Sequence, residues 1–209
     1  FDLMRVLSAV ALPVVDGVPD LDRAVDCFGS LGPVTVDPGN PYRHDYGYYP
    51  HVKPLEHWRQ CNERRVWRLK WKAPEGRWRV YVFCARGVLT WDGLNRLDVL
   101  NPLSIEAFLN ETHDVYARRF GKDFGGVIPG IMTDEPKFWP LPWTDTLPAL
   151  FADRTGRDLV ALLPALVDDA LPEHRSVRVA YHRLASDRFI DAWTRPMAGK
   201  GLRSSGAWA

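Results

Sequence analysis

No stretch of this chain approaches the roughly 20 consecutive apolar residues that span a bilayer. Its apolar start, "FDLMRVLSAVALPVV", lacks the small-residue cleavage site of a secretory leader and reads as a buried strand. Because the sequence opens on Phe1, it is expected to begin at a processed end or at a fragment edge. Charge of one sign is also lacking. The 27 basic and 26 acidic residues leave a formal charge of +1, which gives no reason to expect nucleic acid or a membrane as partner. Cysteine is scarce: Cys27, Cys61 and Cys84 are odd in number and widely spaced, which fits free thiols rather than a disulfide framework or a metal site. No Gly-x-Ser-x-Gly elbow is present, and no phosphate-cradling glycine loop follows a strand. These absences leave the compartment open.

What is present is tryptophan. Nine indoles in 209 residues exceed ordinary usage. Burial is the usual reason, but flat apolar faces also suit stacking against a sugar ring. The hydrophobic fraction of 46% and charged fraction of 25% are ordinary for a globular chain, enough for one large or two small domains.

Along the chain, residues 29–57 are crowded with Gly, Pro, Asn and Tyr and read as irregular loop with one short strand. Next, "RRVWRLKWKAPEGRWRVYVFCARG" alternates Val66, Leu69/Trp71, Trp78, Val80 and Val82 with Arg and Lys. The "APEG" break has turn chemistry, so a hairpin with a solvated basic face is expected. From "NPLSIEAFLNETHDVYARRFG" the period becomes helical. Asn101 is the expected N-cap and Pro102 the first helical residue. Ile105, Phe108, Leu109, Thr112, Val115, Tyr116 and Phe120 mark one face, and Gly121 the stop. His113 is expected at the surface. A buried strand follows at 127–133, then helices near 146–154, 158–168 and 173–195. A further strand is expected at 202–208. The rhythm is α/β, either a barrel or an open sheet. The boundaries drawn are 1–96, holding the N-terminal strand, the loop-rich region and the hairpin, and 97–209, holding the β/α units.

The stretch "GVIPGIMTDEP", 126–136, runs apolar chain into Thr133, Asp134, Glu135 and Pro136. In α/β barrels the chemistry sits at strand carboxyl ends, and Pro136 restricts Glu135 to extended backbone. A carboxylic acid there can serve as a general acid when its surroundings raise its pKa. The bland alternative is a solvated Asp-Glu-Pro loop. Phe138, Trp139 and Trp143 lie close by in sequence and are candidates for a stacking wall.

Residues 97–136, "LDVLNPLSIEAFLNETHDVYARRFGKDFGGVIPGIMTDEP", resemble a run in the α-L-rhamnosidases of glycoside hydrolase family 106 and related bacterial glycoside hydrolases. "PWTDTLPALFADRTGRDLVALLPAL" and "WKAPEGRWRVYVF" extend the similarity to about residues 66–195. The resemblance implies a TIM-like catalytic domain, inverting hydrolysis of a terminal sugar, and room for a calcium ion near the site. It implies that Glu135 is the catalytic acid and that Asp98 binds substrate. Asp98 equally fits local capping of the helix beginning near Asn101. Asp134, Trp139 and Trp143 complete the expected carbohydrate-binding set.

Two departures stand out. A whole barrel takes about 250 residues, so a partial (β/α) barrel carrying an inserted β region is expected. The second carboxylate of the family is expected after the last strand, where this sequence reads "SSGAWA", so the chain is expected to be a fragment or a degenerate copy that lacks the partner acid. A non-catalytic carbohydrate-binding remnant is therefore the alternative reading. Asp134 and Glu135 holding a divalent cation through oxygen ligands is a third. His44, Asp45, His51, Glu56 and His57 match no zinc spacing.

Overall fold

The computed structural model describes residues 4–35, 65–86, 97–130 and 141–205. They mix strand and helix. The chain divides into two compact units, one of Ser8–Val82 and one of Phe83–Ala209 with Phe1–Leu7.

The first unit is built around Ser8–Val15 of β1 (Met4–Val15), whose Ala9, Ala11 and Leu12 are buried. An Asp16-Gly17 turn returns the chain into β2 (Val18–Pro19). Both turn residues are left-handed, at φ 52° and 86°. That is the two-residue hairpin geometry that Asp-Gly favours, because its twist matches that of the strands. β3 (Val25–Asp26) also pairs antiparallel with β1, with Val10 opposite Asp26. β4 (Leu31–Thr35) and β5 (Arg65–Leu69) form a separate antiparallel pair. β6 (Trp78–Arg86) joins β1. The core of this unit is Ala9, Ala11 and Cys27, with Val25, Leu31, Leu69, Trp71 and Trp78 packed against them. Small side chains on β1 leave room for the two indoles, which meet edge to face at 5.3 Å. Cys27 and Cys84 are free thiols.

The expected hairpin between residues 65–69 and 78–86 is corrected by these pairings. The backbone groups that a hairpin would use are taken elsewhere: Lys70 N–H donates to Ser30 O at 2.9 Å, and Val14 N–H donates to Arg77 O at 2.8 Å. The "APEG" loop closes instead through a side chain, with Trp78 Nε1 donating to Pro74 O at 3.1 Å. Val80 and Val82 are also 41% and 43% exposed, not inward as the alternation suggested.

In the second unit, α1 (Pro102–Glu111) starts as its sequence demands. The Asn101 carboxamide oxygen accepts from Leu103 N–H at 3.1 Å, and Pro102 needs no donor in the first turn. Asn101→Ala is expected to cost about 1 kcal/mol of stability, read from the midpoint of denaturant unfolding; Asn101→Asp, which keeps the accepting oxygen, should cost much less.

The predicted single helix is interrupted at Thr112 (φ −115°, ψ −80°), and α2 (His113–Phe120) follows it. The Thr112 hydroxyl donates back to Phe108 O at 2.6 Å, the back-bonding that bends helices. The break ends the expected apolar stripe. Ile105 and Leu109 are buried, whereas Tyr116 and Phe120 are 58% and 42% exposed.

The buried strand expected at 127–133 is likewise corrected for 127–130; 131–133 lie outside the described residues. Gly121–Asp123 forms a 3-10 turn, and the chain doubles back through Gly125 at φ 81°. Ile128 N–H donates to Asp123 O at 2.9 Å, and Gly125 N–H donates to Ile128 O at 2.9 Å. Those donors are consumed locally, and Val127 stands 85% exposed at the tip.

α3 (Leu147–Thr155) is capped by left-handed Gly156, and the short α4 (Leu163–Val167) follows a run of turns. Both pack on α5 (His174–Phe189), whose Val177, Tyr181 and Leu184 are buried. A π-helical turn, Ile190–Thr194, then leads into α6 (Arg195–Ser205). Pro196 accounts for that turn: its ring would clash with the carbonyl four residues back, and a widened turn upstream relieves the clash. The strand expected at 202–208 is corrected for 202–205, which are helical. Gly199 and Gly201 weaken a helix by about 1 kcal/mol each. Lys200 between them offsets this by gripping both Asp114 oxygens, at 2.6 and 2.7 Å.

Candidate active site

Of the residues expected to bind or cut a sugar, Asp98 and Trp143 lie within the described residues. Glu135, Asp134 and Trp139 lie outside them, as do Phe138 and the group His44, Asp45, His51, Glu56 and His57.

Asp98 sits in the turn that feeds α1. Its Oδ1 accepts from Leu100 N–H at 3.1 Å, and its carbonyl accepts from Asn101 N–H at 3.1 Å. Leu100 is buried, and its carbonyl accepts from Arg188 Nε of α5 at 3.0 Å. The half-buried Asp98 carboxylate thus organises a turn anchored to α5, the local role that its sequence position allowed. Substitution separates this from a sugar-binding role. Asp98→Asn keeps the accepting oxygen and should leave stability within about 0.5 kcal/mol, whereas Asp98→Ala should cost about 1 kcal/mol. If the carboxylate also holds substrate, Asp98→Asn raises KM for the glycoside at unchanged stability.

Trp143 is half-buried in the segment before α3. Its neighbours are firmly placed: Tyr181 of α5 donates its hydroxyl to Pro142 O, and buried Thr144 accepts from Leu147 N–H at 3.0 Å through its carbonyl. Burial pushes the Tyr181 pKa well above the ordinary phenol value, so the hydroxyl remains a donor throughout the working pH range. The Trp143 indole Nε1 is shut off from solvent and has no acceptor among the described residues. A buried N–H left unpaired costs about 1–3 kcal/mol. Of the two described members of the expected sugar-binding set, it is the one with a buried hydrogen-bonding group that is unpaired among the described residues.

The same condition holds at His113, which the sequence reading placed at the surface. It lies at the start of α2 with Nδ1 2.9 Å from Thr112 Oγ1, and its Nε2 is buried without a partner among the described residues. Burial lowers its pKa; Asp114 opposes this and Lys200 adds to it. The ring meets Phe108 edge-on at 5.7 Å. The signal that marks this junction is Asn110 and Thr112, both poor interior helix residues, flanking the break. Across α6, Lys200 is hydrogen-bonded to Asp114 and holds that carboxyl below the ordinary range.

Among the described residues, no three or more His, Cys, Asp or Glu side chains are grouped to hold a metal ion. Compared with family models, curated proteins and solved structures, the chain has no match.

Proposed function

We propose that this chain is the working part of a glycoside hydrolase domain of partial-barrel type, acting on a terminal α-L-rhamnoside or a similar deoxysugar. Glu135 is its general acid; the base that activates water in single-displacement chemistry would be a second carboxylate, which none of the assigned residues supplies. Asp134, Trp139 and Trp143 hold the sugar, and Asp98 sets the helix start beside them in sequence. The support is the ordered series in the sequence: the Asp98 turn, the Asn101-Pro102 helix start, the Thr133-Asp134-Glu135-Pro136 end and the Pro142-Trp143-Thr144-Asp145 segment. The observation that carries the reading furthest is the Trp143 indole N–H, buried and without an acceptor among the described residues, in a segment pinned by Tyr181. Once the segment opens the indole N–H to the site, a sugar hydroxyl is the kind of acceptor it takes, while the ring face stacks on the sugar's C–H surface.

The test is hydrolysis of an aryl α-L-rhamnoside followed by proton NMR. The reading expects turnover whose first-formed sugar has the opposite anomeric configuration to the substrate. Retention of configuration would contradict the single-displacement chemistry. Absence both of turnover and of any change in tryptophan fluorescence on adding L-rhamnose would contradict the reading altogether. The second reading, a non-catalytic carbohydrate-binding domain, is favoured by one observation: residues 202–205 are helical where a strand leading to the second carboxylate was expected. Its signature is fluorescence quenching by the sugar without turnover.

A further inference from the structure

The junction of α1, α2 and α6 carries a second kind of information. Thr112 has one hydroxyl proton, and it is spent on Phe108 O at 2.6 Å. At the 2.9 Å contact with His113, Thr112 Oγ1 can therefore only accept. The imidazole proton is thus on Nδ1, and Nε2 presents a bare lone pair in a place closed to solvent. Facing the ring are Asp114 from α2 itself, Lys200 from α6 and the Phe108 ring from α1, with Trp193 of the π turn stacked behind Phe108. Arg118, also on α2, faces Asp114, and the Asp191–Arg195 pair is formed within the π turn and α6. Both Asp114 oxygens are engaged by Lys200, the bond that ties α2 to α6 across 86 residues of chain.

We propose that His113 is an acid-operated latch: neutral, it keeps α2 closed on α1 and α6, and protonated, it releases α2 from α6. A proton on Nε2 creates a donor with no acceptor in place among the described residues and a second cation beside Lys200. The imidazolium is relieved in either of two ways. It can draw Asp114 away from Lys200, or it can swing to water and break the Thr112 bond. Both loosen the same junction. Because burial lowers the pKa of folded His113, the closed state takes up protons less readily than the open one. The latch is therefore fully closed above about pH 6.5, the ordinary histidine value, and weakens as the pH falls through the folded-state value.

Two measurements on the intact chain test this. Long-range nitrogen-15 NMR at pH 7.5 should show His113 with its proton on Nδ1; a proton on Nε2 overturns the proposal. Amide hydrogen exchange, corrected for intrinsic rates and followed from pH 8 to 5, should show opening of α2 and α6 rising below pH 6.5 by up to about tenfold per pH unit, with α3 and α5 flat. In His113→Asn, whose amide can still donate to Thr112 but cannot titrate, the slope should vanish. An equal slope in the variant and the original chain overturns the latch.

Discussion

Trp193→Ala should lower the unfolding free energy by about 3–5 kcal/mol, the range for removing a large buried aromatic from a packed core. Trp193 is 8% exposed and lies between Phe108 and Phe189, with ring centroids 5.9 and 6.4 Å away and planes within 23° and 20°. It also joins Ile105 and Leu109, with Leu97, Val99 and Met197 packed around them. From the π turn just before Pro196, Trp193 bridges Phe108 of α1 and Phe189 of α5. Truncation leaves a hole between two rings whose positions are set by separate helices, so collapse is poor and the cost is near the top of the range. Trp193→Phe keeps a ring in the stack and should lose far less. Urea unfolding with circular dichroism reads both, and a loss below about 1 kcal/mol for Trp193→Ala would contradict this packing.

What the sequence disclosed follows from how local the cause is. Asn101, Pro102 and Gly156 act within one helical turn, and their caps stand where capping chemistry puts them. The run of β1 is legible because both faces are covered along Ser8–Pro13, so periodicity is not required. Asp16-Gly17 carries an equally local hairpin signal. Misreadings come where distant partners compete. Residues 65–69 and 78–86 have hairpin spacing, yet Ser30 and Val14 capture the groups the ladder needs. The apolar letters at 127–128 look like strand, but Gly125 allows a reversal that uses the backbone locally and leaves Val127 in water. Gly199 and Gly201 weaken the helix locally, while the Lys200–Asp114 bond, 86 positions apart, and the packing of Met197 hold it from a distance. At the candidate site, Asp98 and Trp143 are placed while Glu135, Asp134 and Trp139 fall outside the described residues. His113 escaped because the helical face was counted straight through a break.

The chemical claim rests on Glu135. General acid catalysis is worth about a hundred- to ten-thousand-fold, and its share grows with the basicity of the leaving group. A departing alkoxide needs a proton in the transition state, whereas a dinitrophenolate hardly does. Glu135→Gln removes the proton and keeps the shape, so binding of L-rhamnose and folding should be unchanged. The deciding measurement is kcat/KM for an alkyl α-L-rhamnoside and for the dinitrophenyl α-L-rhamnoside, in the original chain and in Glu135→Gln. The account predicts a loss of about a hundredfold or more on the alkyl substrate with a much smaller loss on the dinitrophenyl one. Equal turnover of the alkyl rhamnoside by both proteins would contradict it.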